Sequence, residues 1–163
     1  MQLPTEGLTK RPSEQFSKTS VSSTAKLVKA MPGLEITFFV NPVSGGCRAS
    51  VYLPLAAETT HVVTTNGTKA IVHVCNVRDD EQKEKAYARI LSQHPEEHIA
   101  LIMGGDGTLH YIVEEMAERK IDLGAVVFAL LPFGTGNDLA RVLGWGGRTR
   151  RPMERGDVQW IVE

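Results

Sequence analysis

Ile99-Ala100-Leu101-Ile102-Met103-Gly104-Gly105-Asp106-Gly107-Thr108 is the stretch on which the fold turns. Its apolar residues run without alternation, which predicts a short strand covered on both faces, as in a parallel sheet. The run stops at paired glycines, and Leu109, Ile112, Val113 and Met116 then recur at helical spacing. Strand, glycine turn and amphipathic helix together make a βα unit.

Downstream the same cycle repeats, with Ala125 to Leu131 as strand, Pro132 to Asp138 as loop and Leu139 to Leu143 as the start of a helix. Upstream, Leu34 to Val40 is a β-rich run that stops at Asn41-Pro42, where proline ends any ladder. Two β-branched runs between His61 and Val77 flank Asn66-Gly67, a strong hairpin signal, and the second, Ala70 to Val74, is expected to join the main sheet. Asp79 to His94 predicts a surface helix that buries a stripe of Ala86, Tyr87, Ile90 and Leu91 and is closed by Pro95. Strands alternating with helices predict an α/β fold: a doubly wound, mostly parallel sheet flanked by helices on both faces.

Size and charge narrow the classes. The chain has 163 residues, of which 42% are hydrophobic and 23% charged, enough for one domain with a substantial core. A net charge of −1 gives no overall pull on nucleic acid or an anionic bilayer, so any membrane contact must be local. Cys47 and Cys75 have neither C-x-x-C spacing nor a histidine cluster beside them, and two reduced thiols are expected. No apolar run reaches the roughly 18 to 20 residues of a spanning helix, so the expected localisation is cytoplasmic, with peripheral membrane contact left open. Residues 1–32, rich in Ser, Thr and Lys, read as a mobile leader, and 33–147 as the folded lobe. Residues 148–163, with Arg148, Arg150, Arg151 and Arg155, read as a basic tail or linker.

In a doubly wound sheet the loops at the carboxyl ends of the strands gather at one edge. Three such loops are rich in glycine: Asn41-Pro42-Val43-Ser44-Gly45-Gly46, Gly104-Gly105-Asp106-Gly107-Thr108 and Leu131-Pro132-Phe133-Gly134-Thr135-Gly136-Asn137-Asp138. Glycine lets a phosphate approach the backbone, and a following helix aims free N–H groups at the anion. Each loop also has a plain structural reading. The first contains ordinary turn chemistry, Asp106 suits a turn, and Asn137 or Asp138 suits a cap on the next helix. The residues alone leave both open.

Together and in this order, Asn-Pro-Val-Ser-Gly-Gly, Gly-Gly-Asp-Gly-Thr and Leu-Pro-Phe-Gly-Thr-Gly-Asn-Asp-Leu-Ala-Arg resemble the three signatures of the diacylglycerol kinase catalytic domain. NAD kinases share the second element but lack the third, and sphingosine kinases usually read Ser-Gly-Asn-Ala where this chain has Thr135 to Asp138. Trp145-Gly146-Gly147 leans toward eukaryotic-type members. The resemblance covers roughly Glu35 to Gly147 and departs between Cys47 and Val77, where the helix expected after the first loop is hard to see.

The resemblance implies a Rossmann-like lobe, as in the NAD kinase and diacylglycerol kinase superfamily, that binds ATP and Mg²⁺ and serves phosphorylation of diacylglycerol to phosphatidic acid. It also implies a second, β-rich lobe, which this chain does not contain and which is expected in cis or trans. The other readings kept open are a related kinase for a sphingoid base or NAD and a nucleotide-binding module without turnover. By resemblance, Asn41, Ser44, Gly45 and Gly46 go to the nucleotide phosphates. Gly104, Gly105, Gly107 and Thr108 go to phosphates and ribose, and Thr135 and Asn137 complete that side. Asp106 is assigned the chemistry, as a Mg²⁺ ligand or as acceptor of the hydroxyl proton, and Asp138 is the second catalytic candidate. Arg141 is within reach of phosphate in this reading, and His110 borders the site without a partner visible in the sequence.

Overall fold

The computed structural model describes residues 33–92, 98–148 and 158–162. The leader, the helix end at His94 and Pro95, and Arg150, Arg151 and Arg155 lie outside the described residues. Five strands form one sheet: β1 (Leu34–Val40), β2 (Thr60–Val63), β3 (Lys69–Asn76), β4 (His98–Gly104) and β5 (Val127–Pro132). Their order is β2-β3-β1-β4-β5. All neighbours are parallel except the edge hairpin of β2 with β3, and β3 does join the main sheet beside β1. The hairpin closes on Gly67 at φ 85, as its Asn-Gly pair predicts.

The chain leaves β1 in one direction to reach β3, then crosses back over β1 to β4 and β5. A switch point of the winding therefore lies between β1 and β4, whose carboxyl ends open the crevice in which such sheets take ligands.

Alternate residues of β1 feed the two faces. Phe39 points to the face covered by α1 (Asp80–Ser92) and α2 (Asp106–Glu118), where it stacks on Tyr87 at 5.8 Å between ring centroids. Phe38 points to the opposite face and meets Tyr52 edge-on at 6.2 Å. That face is covered by a 3-10 segment, Arg48–Ala57, and by a short helix. The helix expected after the first loop is thus replaced by tighter turns, with Pro54 inside them denying the backbone a donor.

Three details differ from the sequence reading. The buried stripe of α1 is Lys83, Ala86, Tyr87 and Ile90, whereas Leu91 is 55% exposed. Leu91 sits one residue past the stripe, and the aliphatic stem of Lys83 fills the turn before it. The fifth strand begins at Val127 and ends at Pro132, because Ala125 is held in a turn by its N–H to the Asp122 carbonyl. Two more short helices follow, α3 (Asp138–Val142) and α4 (Val158–Val162). The latter falls in the stretch read as a basic tail, and its Val158 is buried in the core beside β2.

Candidate functional site

The three glycine loops meet at the carboxyl edge of the sheet and interlock. Asn41, at the end of β1, donates its backbone N–H to the Met103 carbonyl at 3.1 Å and its side-chain Nδ2 to Thr108 Oγ1 at 2.9 Å. Its Oδ1 accepts the Val43 N–H, which shapes the first loop. The first and second loops are therefore joined across the switch point. The second and third are joined by the Asp106 N–H to the Gly136 carbonyl at 3.0 Å and the Phe133 N–H to the Gly104 carbonyl at 3.2 Å.

Several glycines are needed for this meshing. A Cβ on Gly45, whose φ is +53, would lie 1.5 Å from the Phe133 carbonyl oxygen. One on Gly105 would lie 2.5 Å from the Gly136 carbonyl oxygen, and one on Gly104 the same distance from Thr108 Oγ1. By contrast, Gly46 at φ +78, Gly107 and Gly136 have nothing within 4 Å of the added atom. Two kinds of glycine share these loops: one lets protein backbones approach each other, and the other leaves backbone open.

Asp106 is the first residue of α2, yet its carboxylate serves another helix. Oδ2 accepts the Asp138 N–H at 2.8 Å and Oδ1 the Leu139 N–H at 3.3 Å, so a residue of the second loop caps α3. The capping role left open for Asn137 is not met, since its side chain makes no cap bond to α3. Asn137 is buried at 3% exposure and donates instead to the carbonyls of Gly134 at 2.6 Å and Gly147 at 3.0 Å. It latches the Trp145-Gly146-Gly147 segment onto the third loop. Asp138 is exposed and pairs with Arg141 at 3.4 Å.

Two clefts flank the junction. The first, about 410 Å³, is lined by Asn41, Val77, Arg78, Lys83, Gly107 and Tyr111 among others. The second, about 250 Å³, is lined by Gly45, Arg48, Phe133, Thr135, Arg141 and Arg148 among others. Ser44 is half-buried in the first loop, which is closed by the Ser44 N–H to the Asn41 carbonyl at 3.3 Å. His110 stands on the exposed side of α2 and pairs with Glu114 one turn on, a partner the sequence reading did not name.

Lys83 was missed as a wall residue. It is 4% exposed and donates to Tyr111 Oη and to Glu115 Oε1, the latter at 3.0 Å; Asp80 lies at the same distance. Burial works against its charge, but the hydrogen bonds from these three partners outweigh that and raise its pKa. Burial likewise opposes the charge on Glu115, and bonds to Tyr87, Lys83 and Tyr111 outweigh it, so that carboxyl is held below its ordinary value. The signal was available, since Lys83 stands three residues before Ala86 and four before Tyr87 on one helical face.

This interlocked trio of loops, in this order around a switch point, can be set beside known proteins. The Diacylglycerol kinase catalytic domain family matches residues 35–157, about three quarters of the chain. The chain belongs to the diacylglycerol kinase catalytic domain family. Among curated relatives, it is 51% identical over 47 residues to the Probable diacylglycerol kinase 3 of Caenorhabditis elegans, covering 29% of this chain and 6% of that protein. It is 31% identical over 132 residues to the Eye-specific diacylglycerol kinase of Drosophila melanogaster, covering 76% of this chain and 8% of that one. The Putative diacylglycerol kinase K06A1.6 of Caenorhabditis elegans is 27% identical over 116 residues, 71% of this chain and 11% of the relative. The chain thus spans about a tenth or less of these relatives' lengths. No solved structure matches it.

The donor set at the junction fits a family that handles phosphate. Mg²⁺ at such sites is held by one or two carboxylates together with substrate phosphates. Asp106 and the exposed Asp138 supply two carboxylates on neighbouring backbone, and each oxygen of Asp106 accepts one amide, leaving it further acceptor capacity. Among the described residues no three His, Cys, Asp or Glu side chains cluster into an all-protein metal cage. None of the described helices is long and apolar enough to cross a membrane.

Proposed function

We propose that this chain is the ATP-binding part of a lipid kinase that phosphorylates the free hydroxyl of diacylglycerol to give phosphatidic acid. The observation that carries the reading is the meeting of all three loops around Asp106 at the switch point. Family membership supports the acceptor, and the open backbone at the junction supports the donor.

Residues 33–147 hold the nucleotide. The nucleoside lies in the cleft of Asn41, Gly107 and Thr108, with the Lys83–Tyr111 pair as its wall. Gly46 and Gly107 offer backbone to the phosphates, with Ser44 beside them. Gly45, Gly104, Gly105 and Asn137 hold the loops at the spacing that makes this approach possible. Thr135 and Arg141 face the second cleft, on the acceptor side. Bound ATP would supply the γ-phosphoryl group, and Mg²⁺ held by Asp106 and Asp138 would offset the charge on its oxygens. In the alternative arrangement, with Mg²⁺ on Asp138 alone, Asp106 accepts the proton of the attacking hydroxyl, while its amide bonds fix its orientation.

The test has two arms. Calorimetry should show ATP binding to the chain, and labelled phosphate should pass from ATP to dioctanoylglycerol in mixed micelles, in preference to sphingosine or NAD. Asp106→Asn should lower transfer by about 100-fold or more, the scale of a lost general base, with ATP binding largely kept. A chain that binds ATP but transfers nothing is a nucleotide-binding module. One that does not bind ATP ends the proposal.

A further inference from the structure

Three guanidinium groups converge on the second cleft from separate places in the chain. Arg48 opens the 3-10 segment, Arg141 stands on α3, and Arg148 follows the Trp145-Gly146-Gly147 stretch. All three are exposed, and among the described residues that line this cleft none is a carboxylate. Gathering three like charges costs free energy, and a bound anion removes that cost.

Two of the three are held in place. Arg48 lies over the Phe133 ring, with Cζ 5.8 Å from its centroid. Arg141 pairs with Asp138 at 3.4 Å and also lies against Gly147: a Cβ built on Gly147 would fall 2.4 Å from Arg141 Nε and 3.1 Å from its Cζ and Nη2. Gly147 is itself pinned by Asn137, which donates to its carbonyl at 3.0 Å. Gly144 and Gly146 have φ of +80 and +84, but Gly147 is not in that region, so glycine is required at 147 for space rather than for conformation. That space seats the Arg141 guanidinium.

Size and donor count indicate which anion. At about 250 Å³ the cleft is smaller than the roughly 300 to 1,000 Å³ of pockets that enclose a drug-sized ligand, so it suits one compact group. Three guanidinium forks offer more donors than the two oxygens of a carboxylate can accept. A phosphate monoester presents three terminal oxygens and a charge near −2 at neutral pH, and it pairs with arginine through parallel hydrogen bonds. The Thr135 side of the same cleft leaves room for the ester oxygen and a short polar stub.

We propose that the second cleft is a binding site for a phosphate monoester dianion, gripped by Arg48, Arg141 and Arg148, and that Gly147 is the positioning residue that sets Arg141 for it. The site shares no lining residue with the cleft given to the nucleoside. It requires neither ATP nor turnover, so it stands whether or not the chain is a lipid kinase.

Calorimetry of the full chain with glycerol 3-phosphate, inorganic phosphate and the diester glycerophosphocholine tests this. Glycerol 3-phosphate should bind at one site, be displaced by inorganic phosphate, and bind about tenfold or more tighter than the diester, the scale of one lost charge-assisted hydrogen bond. Its affinity should rise from pH 5 to pH 7, as the second phosphate proton leaves near about pH 6, while the diester shows no such rise. Gly147→Ala should weaken binding about tenfold with thermal melting unchanged, because the added methyl displaces the end of a side chain rather than backbone. Arg148→Gln, at an exposed position, should weaken it by a similar factor and decides the matter if Gly147→Ala does not fold. Dioctanoyl phosphatidate binding far more tightly than glycerol 3-phosphate would identify a lipid headgroup as the source, and equal binding a free phosphomonoester. The proposal is overturned if no monoester binds, if the diester binds as tightly, or if affinity is flat across that pH range. It is equally overturned if folded Gly147→Ala or Arg148→Gln binds like wild type.

Discussion

Phe38 and Phe39 are neighbours in β1, both fully buried, yet they face two differently built layers. Phe39 packs under two helices of 13 residues each, tied together by Lys83, Tyr87, Tyr111 and Glu115. Phe38 packs under a 3-10 segment and a five-residue helix. The difference teaches that two faces of one sheet reach equal burial by different means, long helices on one side and tight turns with short elements on the other.

The largest expected effect tests that equality directly. Phe39→Ala should cost about 3 to 5 kcal/mol in urea unfolding, the usual range for a buried aromatic. Phe38→Ala should cost a similar amount, because Phe38 is just as fully enclosed and meets Tyr52 edge-on. A Phe38→Ala loss below about 1 kcal/mol would break the comparison.

Acid comes next, since it acts on the helical face. His98 is fully buried there, Thr37 Oγ1 lies 2.9 Å from its Nε2, and burial pushes its pKa down to about 4 from an ordinary 6.5. The unfolded chain therefore takes up the proton first. Stability should be complete above pH 6.5 and fall as pH drops toward 4, by about 3 kcal/mol from this group. Burial and Arg89 also lower the pKa of His73 against the pull of Glu35, so it contributes in the same direction. A urea midpoint that does not change between pH 7 and pH 4.5 would remove His98 from the account.

The smallest effect sharpens the outline of that face. Lys83→Met should cost about 1 to 3 kcal/mol, because it leaves the Glu115 carboxylate with less compensation in a partly buried place. Leu91→Ala on the same helix should stay within about 0.5 kcal/mol, as expected of an exposed position. Thermal melting of the two variants side by side checks both. A costly Leu91→Ala would restore the stripe read from the sequence.

Much of this was legible beforehand, for local reasons. The strand after Gly33, the Asn-Gly hairpin and the strand ending at Gly104 are written in unbroken apolar runs and turn residues, and they appear where read. The crossover after the first loop was hard to read because the Arg48–Ala57 segment follows no helical period. Lys83 was passed over because a charged residue at a stripe position counts against burial until its partners are known, and two of its three partners, Tyr111 and Glu115, stand 28 and 32 residues away.

The sequence by itself determined the order of strands and helices, the three glycine loops and the family they resemble, since each is encoded within a few neighbouring residues. Only the tertiary structure decided what these loops do to one another. It showed that Asp106 caps α3 from a different loop and that Asn137 latches Gly147. It also separated Gly45 and Gly105, which are filled by neighbouring backbone, from Gly46 and Gly107, which stand open. Such pairings join residues up to 88 positions apart, as with Gly45 and Phe133. They depend on sheet order and register, which no single stretch of chain carries.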